Sequence, residues 1–373
     1  MANMTTTKKS GWTRVLLFNV VFIGVLVLVL ELVFGDWFHE PNHVGRLNLV
    51  RDCKKSYDAS YLYDGANQIT YTRDKWGLRG KYPALDDIDI ITLGGSATDQ
   101  RYVTDGKTWQ DVIAQQFAAE GRNVSVVNAG VDGQSTYGHI KDFDWWFPTL
   151  PNFKPKYVLF YVSGNDIYKS DNSDFDDLVN NKPPTWKTHI KERSAMYHLL
   201  STAMGVYEAH HVHKISHRKE PFGSWQWTTQ PLVKDHEQLI AKRLDIYRKA
   251  IALLAEKTKA IGATPIFVTQ SLSVYRFRPD GSVEGRQRQE MYDNTMINGV
   301  DLYYIIKDFW NVTMEECAKA NGVCVDAGDD MRWQPGDFYD VIHNTPQGAD
   351  RLGKYLHEKL KDLPIGTNHE VAN

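Results

Sequence analysis

The most conspicuous pattern along the chain is an apolar run near its start. Val15 to Phe34 is apolar except for Asn19, Gly24 and Glu31. As a helix, a run of this length reaches about 30 Å, one hydrocarbon core. Lys8, Lys9 and Arg14 precede it, whereas the stretch 35–45 holds Asp36 and Glu40 and no Lys or Arg. Positive charge stays on the cytoplasmic side, so 1–14 is expected as a cytoplasmic tail, 15–34 as a transmembrane helix and the rest outside. A cleaved signal peptide wants a shorter run and a small-x-small site, which Leu32-Val33-Phe34-Gly35 supplies poorly. Glu31 fits such a span only at its outer end, near Trp37, where a carboxylate reaches water.

Past a polar, aromatic lead-in at 35–85, which contains Trp76-Gly77-Leu78-Arg79-Gly80, short apolar runs alternate with helical spacing. Ile88–Leu93, Val124–Asn128, Tyr157–Val162, Thr264–Thr269 and Val323–Asp326 read as strands. Thr108–Ala119, about 235–260, about 288–319 and about 346–361 read as helices. Apolar strands without alternation, separated by helices, predict a parallel sheet covered on both faces. The fold class is α/β: a three-layer α/β/α sandwich with a parallel five-stranded, flavodoxin-like sheet at 86–363, followed by a tail at 364–373. The interval between the third and fourth strands is longer than one crossover needs. An insertion at about 171–232 accounts for it, with Trp186, Tyr197, Tyr207, Trp225 and Trp227 beside His210, His211, His213 and His217. Those histidines lack a cysteine or carboxylate at ligand spacing, so a cap over the site is expected rather than a metal centre.

Composition narrows the field without pointing further. The 373 residues are 42% hydrophobic and 24% charged with a net charge of −3, which fits a globular chain and gives no electrostatic reason for nucleic-acid binding. Three cysteines and no CxxC pair exclude a disulfide scaffold and a zinc ribbon. Cys317 and Cys324 are near enough in sequence for either a bridge or two buried thiols. No cofactor and no metal is expected.

Ligands of open parallel sheets sit beyond the carboxyl ends of the strands, and four polar features fall there or in the last loop. Gly94-Gly95-Ser96 ends the first strand, permitting a tight turn with an exposed hydroxyl. Asn128-Ala129-Gly130-Val131-Asp132-Gly133 follows the second strand, and Ser163-Gly164-Asn165-Asp166 follows the third. Asp340-Val341-Ile342-His343 precedes the last helix. Competing structural roles exist: Asn165 as a turn cap, and Asp340 as the cap of the final helix.

In order and strand context these four blocks resemble the SGNH (GDSL-type) hydrolase superfamily, over about residues 86–362. Gly95 stands where the family motif has Asp, and the lead-in around Trp76 to Gly80 resembles membrane-anchored bacterial members. The resemblance implies an acyl-enzyme chemistry with Ser96 as nucleophile, His343 as its base and Asp340 orienting the imidazole. It implies an oxyanion hole of the Ser96 N–H, the Gly133 N–H and the Asn165 amide, with Gly130 the alternative to Gly133. The expected activity is a serine esterase on acyl groups, O-acetyl groups of an extracytoplasmic carbohydrate among them. A polysaccharide O-acetyltransferase would use the same residues, and a non-catalytic binding subunit would keep the fold alone. Expected partners are the acylated substrate and the membrane, with the catalytic domain on the periplasmic or extracytoplasmic side.

Overall fold

The computed structural model describes residues 10–38, 44, 47–65, 68–169, 186–197, 199–200 and 217–368. The chain divides into two compact units, one comprising 1–45 with 182–214, the other 46–181 with 215–373.

In the smaller unit one helix, Ser10–Phe34, contains a segment, Arg14–Phe34, long and apolar enough to cross a membrane. The helix begins five residues ahead of the apolar run, at Ser10 rather than Val15. Its one carboxylate within the run, Glu31, is fully engaged inside this unit. The Trp37 indole donates to it at 2.8 Å, the Ser194 hydroxyl at 2.6 Å, and the N–H groups of Ala195 and Met196 at 3.1 Å each. A lone carboxylate among apolar residues is costly, and four donors offset much of that cost.

The larger unit is built on five parallel strands: β1 (Ile90–Gly94), β2 (Val126–Asn128), β3 (Tyr157–Val162), β4 (Thr264–Thr269) and β5 (Val323–Val325). Their order across the sheet is β2-β1-β3-β4-β5. Both faces are apolar: Val158, Phe160 and Val162 of β3 join one buried core, and Leu159 and Tyr161 join the other. The helices Trp109–Ala119 and Pro346–Leu360 cover the second face through Trp109, Ile113, Phe117, Leu352 and Leu356. The long helices His236–Ala260 and Gly299–Lys319 cover the first through Ile251, Leu254, Ile305 and Phe309. This is the three-layer sandwich. The order reverses between β1 and β3, which opens a crevice at their carboxyl ends.

Several segments differ from the sequence pattern. Residues 288–298 are not helical. Glu290–Tyr292 and Thr295–Ile297 form a hairpin through Asp293 at φ 51, and Asn298 caps the helix from Gly299 with a reciprocal Asp301 bond. The polar turn residues and the Asn cap outweigh the helical spacing there. The lead-in carries its own paired strands and buried residues. Cys53–Asp58 pairs antiparallel with Gln68–Arg73, and Leu47, Leu62 and Leu78 are buried. At the other end Ile365 is buried and Thr367–Asn368 pairs with Arg122–Asn123, so 364–368 is not a free tail. A small sheet of Trp227–Thr228, Val283–Arg286 and Tyr275–Phe277 has no counterpart in the apolar pattern. Cys317 and Cys324 are bridged, with Cα atoms 5.8 Å apart. Of the insertion, 186–197 and 199–200 belong to the smaller unit and 217–232 to the larger. Tyr207, His210, His211 and His213 lie outside the described residues.

Candidate active site

Strand β1 delivers Ser96 by a turn that tolerates no side chain before it. A Cβ on Gly94 would lie 2.0 Å from Thr98 Oγ1 and 2.9 Å from the Tyr161 carbonyl. Ser96 then opens a short helix, Ser96–Asp99, with Gly95 as its N-cap. Among the described residues nothing takes up the Ser96 N–H, the first orphan donor of that turn.

The partner loop is fixed independently. Thr345, not Asp340, caps the last helix, accepting from the Gly348 N–H. Asp340 instead folds its own loop: its Oδ1 accepts the N–H groups of Ile342 at 3.0 Å and His343 at 2.8 Å. The D-x-x-H spacing therefore makes one tight turn that carries the imidazole back onto the carboxylate, with Nδ1 2.7 Å from Oδ2. On the far side of the ring, Nε2 lies 2.6 Å from Ser96 Oγ. Burial works against the Asp340 charge, yet the His343 hydrogen bond and charge, with the two N–H groups, hold its carboxyl below the ordinary range. Ser96, His343 and Asp340 are thus joined in a chain of two hydrogen bonds.

Gly133 and Asn165 approach each other through Gln134. Asn165 does not cap its turn; its Nδ2 donates to the Gln134 carbonyl at 2.7 Å. Gly95 is what leaves room for that amide, since a Cβ there would sit 2.3 Å from Nδ2. Gly133 has φ 80, and among the described residues no hydrogen bond occupies its N–H. The Gly130 N–H, by contrast, donates to Asn128 Oδ1 at 2.9 Å. Its own role is close approach: a Cβ on it would lie 2.4 Å from the Asp99 nitrogen.

Four supporting residues were given no role by the sequence pattern. Arg73, 4% exposed, donates to Asp99 at 2.6 Å and to the Gly130 carbonyl at 2.6 Å. Arg79 donates to the carbonyls of Asp99, Gln100 and Val103. Both guanidiniums come from the lead-in, and only the Trp76 to Gly80 block hinted at it. Tyr339 stacks parallel to His343 at 5.5 Å, and His217 lies face to face with it at 4.1 Å. Ligand atoms of His217, Asp340 and His343 come within 4.8 Å of one another. Two rings only 24° from parallel cannot both aim an in-plane lone pair at one ion, so the pair suits stacking better than chelation.

A serine, imidazole and carboxylate joined in this order above the carboxyl edge of a doubly wound sheet define a serine hydrolase by class. The chain belongs to the GDSL-like lipase/acylhydrolase family, whose model matches residues 92–351. Several solved structures are similar over most of their length. A variant of Axe2, an acetyl-xylooligosaccharide esterase from Geobacillus Stearmophilus, is 11% identical with a TM-score of 0.41, covering 75% of this chain and 97% of its own. The psychrotrophic esterase EstA from Pseudoalteromonas sp. is 12% identical with a TM-score of 0.37, covering 74% and 97%. The lipase/acylhydrolase from Enterococcus faecalis is 15% identical with a TM-score of 0.39, covering 74% and 96%. Among curated proteins none matches the chain.

Proposed function

We propose that this chain is a membrane-anchored serine esterase that removes ester-linked acyl groups, O-acetyl groups of a carbohydrate outside the cytoplasmic membrane, through an acyl-enzyme on Ser96. The observation that carries the proposal is the Ser96–His343–Asp340 chain, with contacts of 2.6 Å and 2.7 Å. Ser96 Oγ attacks the ester carbonyl while its proton passes to His343 Nε2. Asp340 stabilises the imidazolium that forms. The oxyanion is met by the N–H groups of Ser96 and Gly133 and by the Asn165 amide, each worth about 3 kcal/mol in the transition state. Collapse expels the alcohol, which takes its proton from His343. Water, deprotonated by the same imidazole, then releases the acid and restores Ser96.

The carbohydrate reading draws on a groove of about 540 Å³ lined by Glu220, Ser224, Trp225, Gln226, Arg286 and Gln287. The Glu220 N–H donates to the Tyr339 carbonyl at 2.8 Å, which ties the groove's rim to the loop of the triad. An indole face among carboxylate, amide and guanidinium groups suits the apolar faces and hydroxyls of a sugar. The extracytoplasmic reading draws on the charge bias around the apolar helix and on the Cys317–Cys324 bridge, which persists in oxidising compartments.

The test uses the full chain in detergent with p-nitrophenyl acetate, with and without a polysaccharide acceptor. The expected result is acetate release that Ser96→Ala abolishes. Acetate transferred to the acceptor in preference to water would make the protein an O-acetyltransferase with the same triad. No acyl-enzyme under either condition would refute the proposal.

A further inference from the structure

His343 is held at both ring nitrogens, by Asp340 on Nδ1 and Ser96 on Nε2. Those two hydrogen bonds and the Cβ–Cγ bond set the mean plane of the ring, and small tilts out of it only bend the hydrogen bonds. A contact on the face of the ring resists such tilts. His217 supplies it, with ring centroids 4.1 Å apart and planes 24° from parallel.

His217 is itself fixed from two sides. Its Nδ1 shares a 2.7 Å hydrogen bond with the Tyr339 hydroxyl, and the Tyr102 ring meets it edge-on at 4.8 Å. Tyr339 in turn parallels His343, with planes 9° apart at 5.5 Å. The three rings come from two distant places in the chain, the end of the insertion and the Asp340 to His343 loop.

We propose that His217 is a positioning residue for the general base: stacked on His343 and anchored by Tyr339, it holds the imidazole in the plane that joins Ser96 to Asp340. The inference rests on the esterase reading and adds to it a residue outside the four blocks. Charge supports it. Burial, and the charge of His343 when protonated, push the His217 imidazole down to about 4. Asp340 and Asp99 pull the other way, and Arg101 adds to the downward push. A neutral His217 therefore faces His343 as the latter takes the proton of Ser96, and a neutral π-face attracts a cation where a second imidazolium would repel it.

The test compares His217→Ala and His217→Phe with wild type on p-nitrophenyl acetate, full chain in detergent. Loss of orientation at the base should lower kcat of the alanine variant by about 10- to 100-fold with KM within about twofold, as expected for a transition-state effect. Phenylalanine keeps the stacked face without a titratable nitrogen and should recover most of the loss. Wild-type kcat in His217→Ala would overturn the inference while leaving the esterase intact. A folded His217→Phe as impaired as alanine would overturn it too, by showing that the ring nitrogens and not the face are needed. Should the alanine variant fail to fold, His217→Leu, which fills the space without a flat ring, takes its place: the same loss of kcat supports the inference and a wild-type kcat overturns it. A wild type with no esterase activity would instead refute the reading beneath it.

Discussion

Replacing Arg73 by Met tests how the candidate site is braced. Arg73 donates to Asp99, to the carbonyls of Gly130, Gly77 and Asn128, and to the Tyr71 hydroxyl, at 2.6 to 3.1 Å. Met has similar length but no donor. Among the described residues Asp99, 2% exposed, would then keep the Tyr71 hydroxyl at 2.8 Å and a long Arg101 contact at 3.4 Å. Breaking a buried pair on one side costs about 3–5 kcal/mol, because the remaining charge is stranded. In the intact protein burial opposes the Asp99 charge, but Arg73 and Arg101 hold its carboxyl below the ordinary range. That contribution is present above the unfolded value of about 3.9 and is lost as pH falls through the depressed folded value. In Arg73→Met burial prevails and the folded value rises, so the deficit is full near neutrality and shrinks on acidification. Denaturant unfolding of the full chain in micelles should therefore give a gap of about 4 kcal/mol near pH 7 that narrows toward pH 4. Adding Asp99→Asn should recover at least about 1 kcal/mol, since it removes the stranded charge. A gap under about 1 kcal/mol near neutrality, or one that widens with acid, would refute the account.

Four further outcomes are expected. Asn165→Ala should lower kcat on p-nitrophenyl acetate by about 10²–10³ with KM little changed. Gly95→Ala should do nearly the same, because its Cβ would stand 2.3 Å from Asn165 Nδ2; additive losses in the double variant would sink this explanation. Replacing Cys317 and Cys324 together by Ser should cost about 2 kcal/mol, as a short closed loop predicts, and an unchanged unfolding midpoint would speak against the bridge. Protease added to spheroplasts should digest the catalytic domain and leave a small fragment containing Ser10–Phe34, whereas a fully protected domain would reverse the orientation.

The parts of the fold that sequence pattern reveals are those in which burial acts through local order. The strands at Tyr157–Val162 and Thr264–Thr269 match their apolar runs end to end, because each is apolar on both faces. The helix read from about 288 begins only at Gly299. Apolar residues at 291, 292, 296 and 297 suit a hairpin as well as a helix, and Asp293 with Asn298 decides between them. At the candidate site, Ser96 and the Asp340 to His343 turn were legible because glycine and a three-residue spacing are local necessities. Gly133 against Gly130 was not legible, since the choice depends on which N–H the Asn128 side chain consumes. His217 was visible only as one of several histidines. Its position depends on tertiary contacts with Tyr339 and Tyr102 that no local spacing encodes.

The lead-in shows why matching blocks alone understate what a site needs. Asn128 Nδ2 donates to the Thr98 carbonyl at 2.6 Å, which links the glycine loop to the short helix that Ser96 opens. Arg73 bridges the same two loops from beneath through Asp99 and Gly130, and Arg79 gathers the carbonyls of Asp99, Gln100 and Val103. Residue 92, where the family match begins, lies past both arginines. A catalytic unit cut there would strand the Asp99 carboxylate and leave those carbonyls short of donors, each buried group costing about 1–3 kcal/mol. Leu47 and Leu78 are buried in the same core as Val127 and Phe160 of the sheet, so the folded unit that carries Ser96 and Gly133 reaches back to at least residue 47.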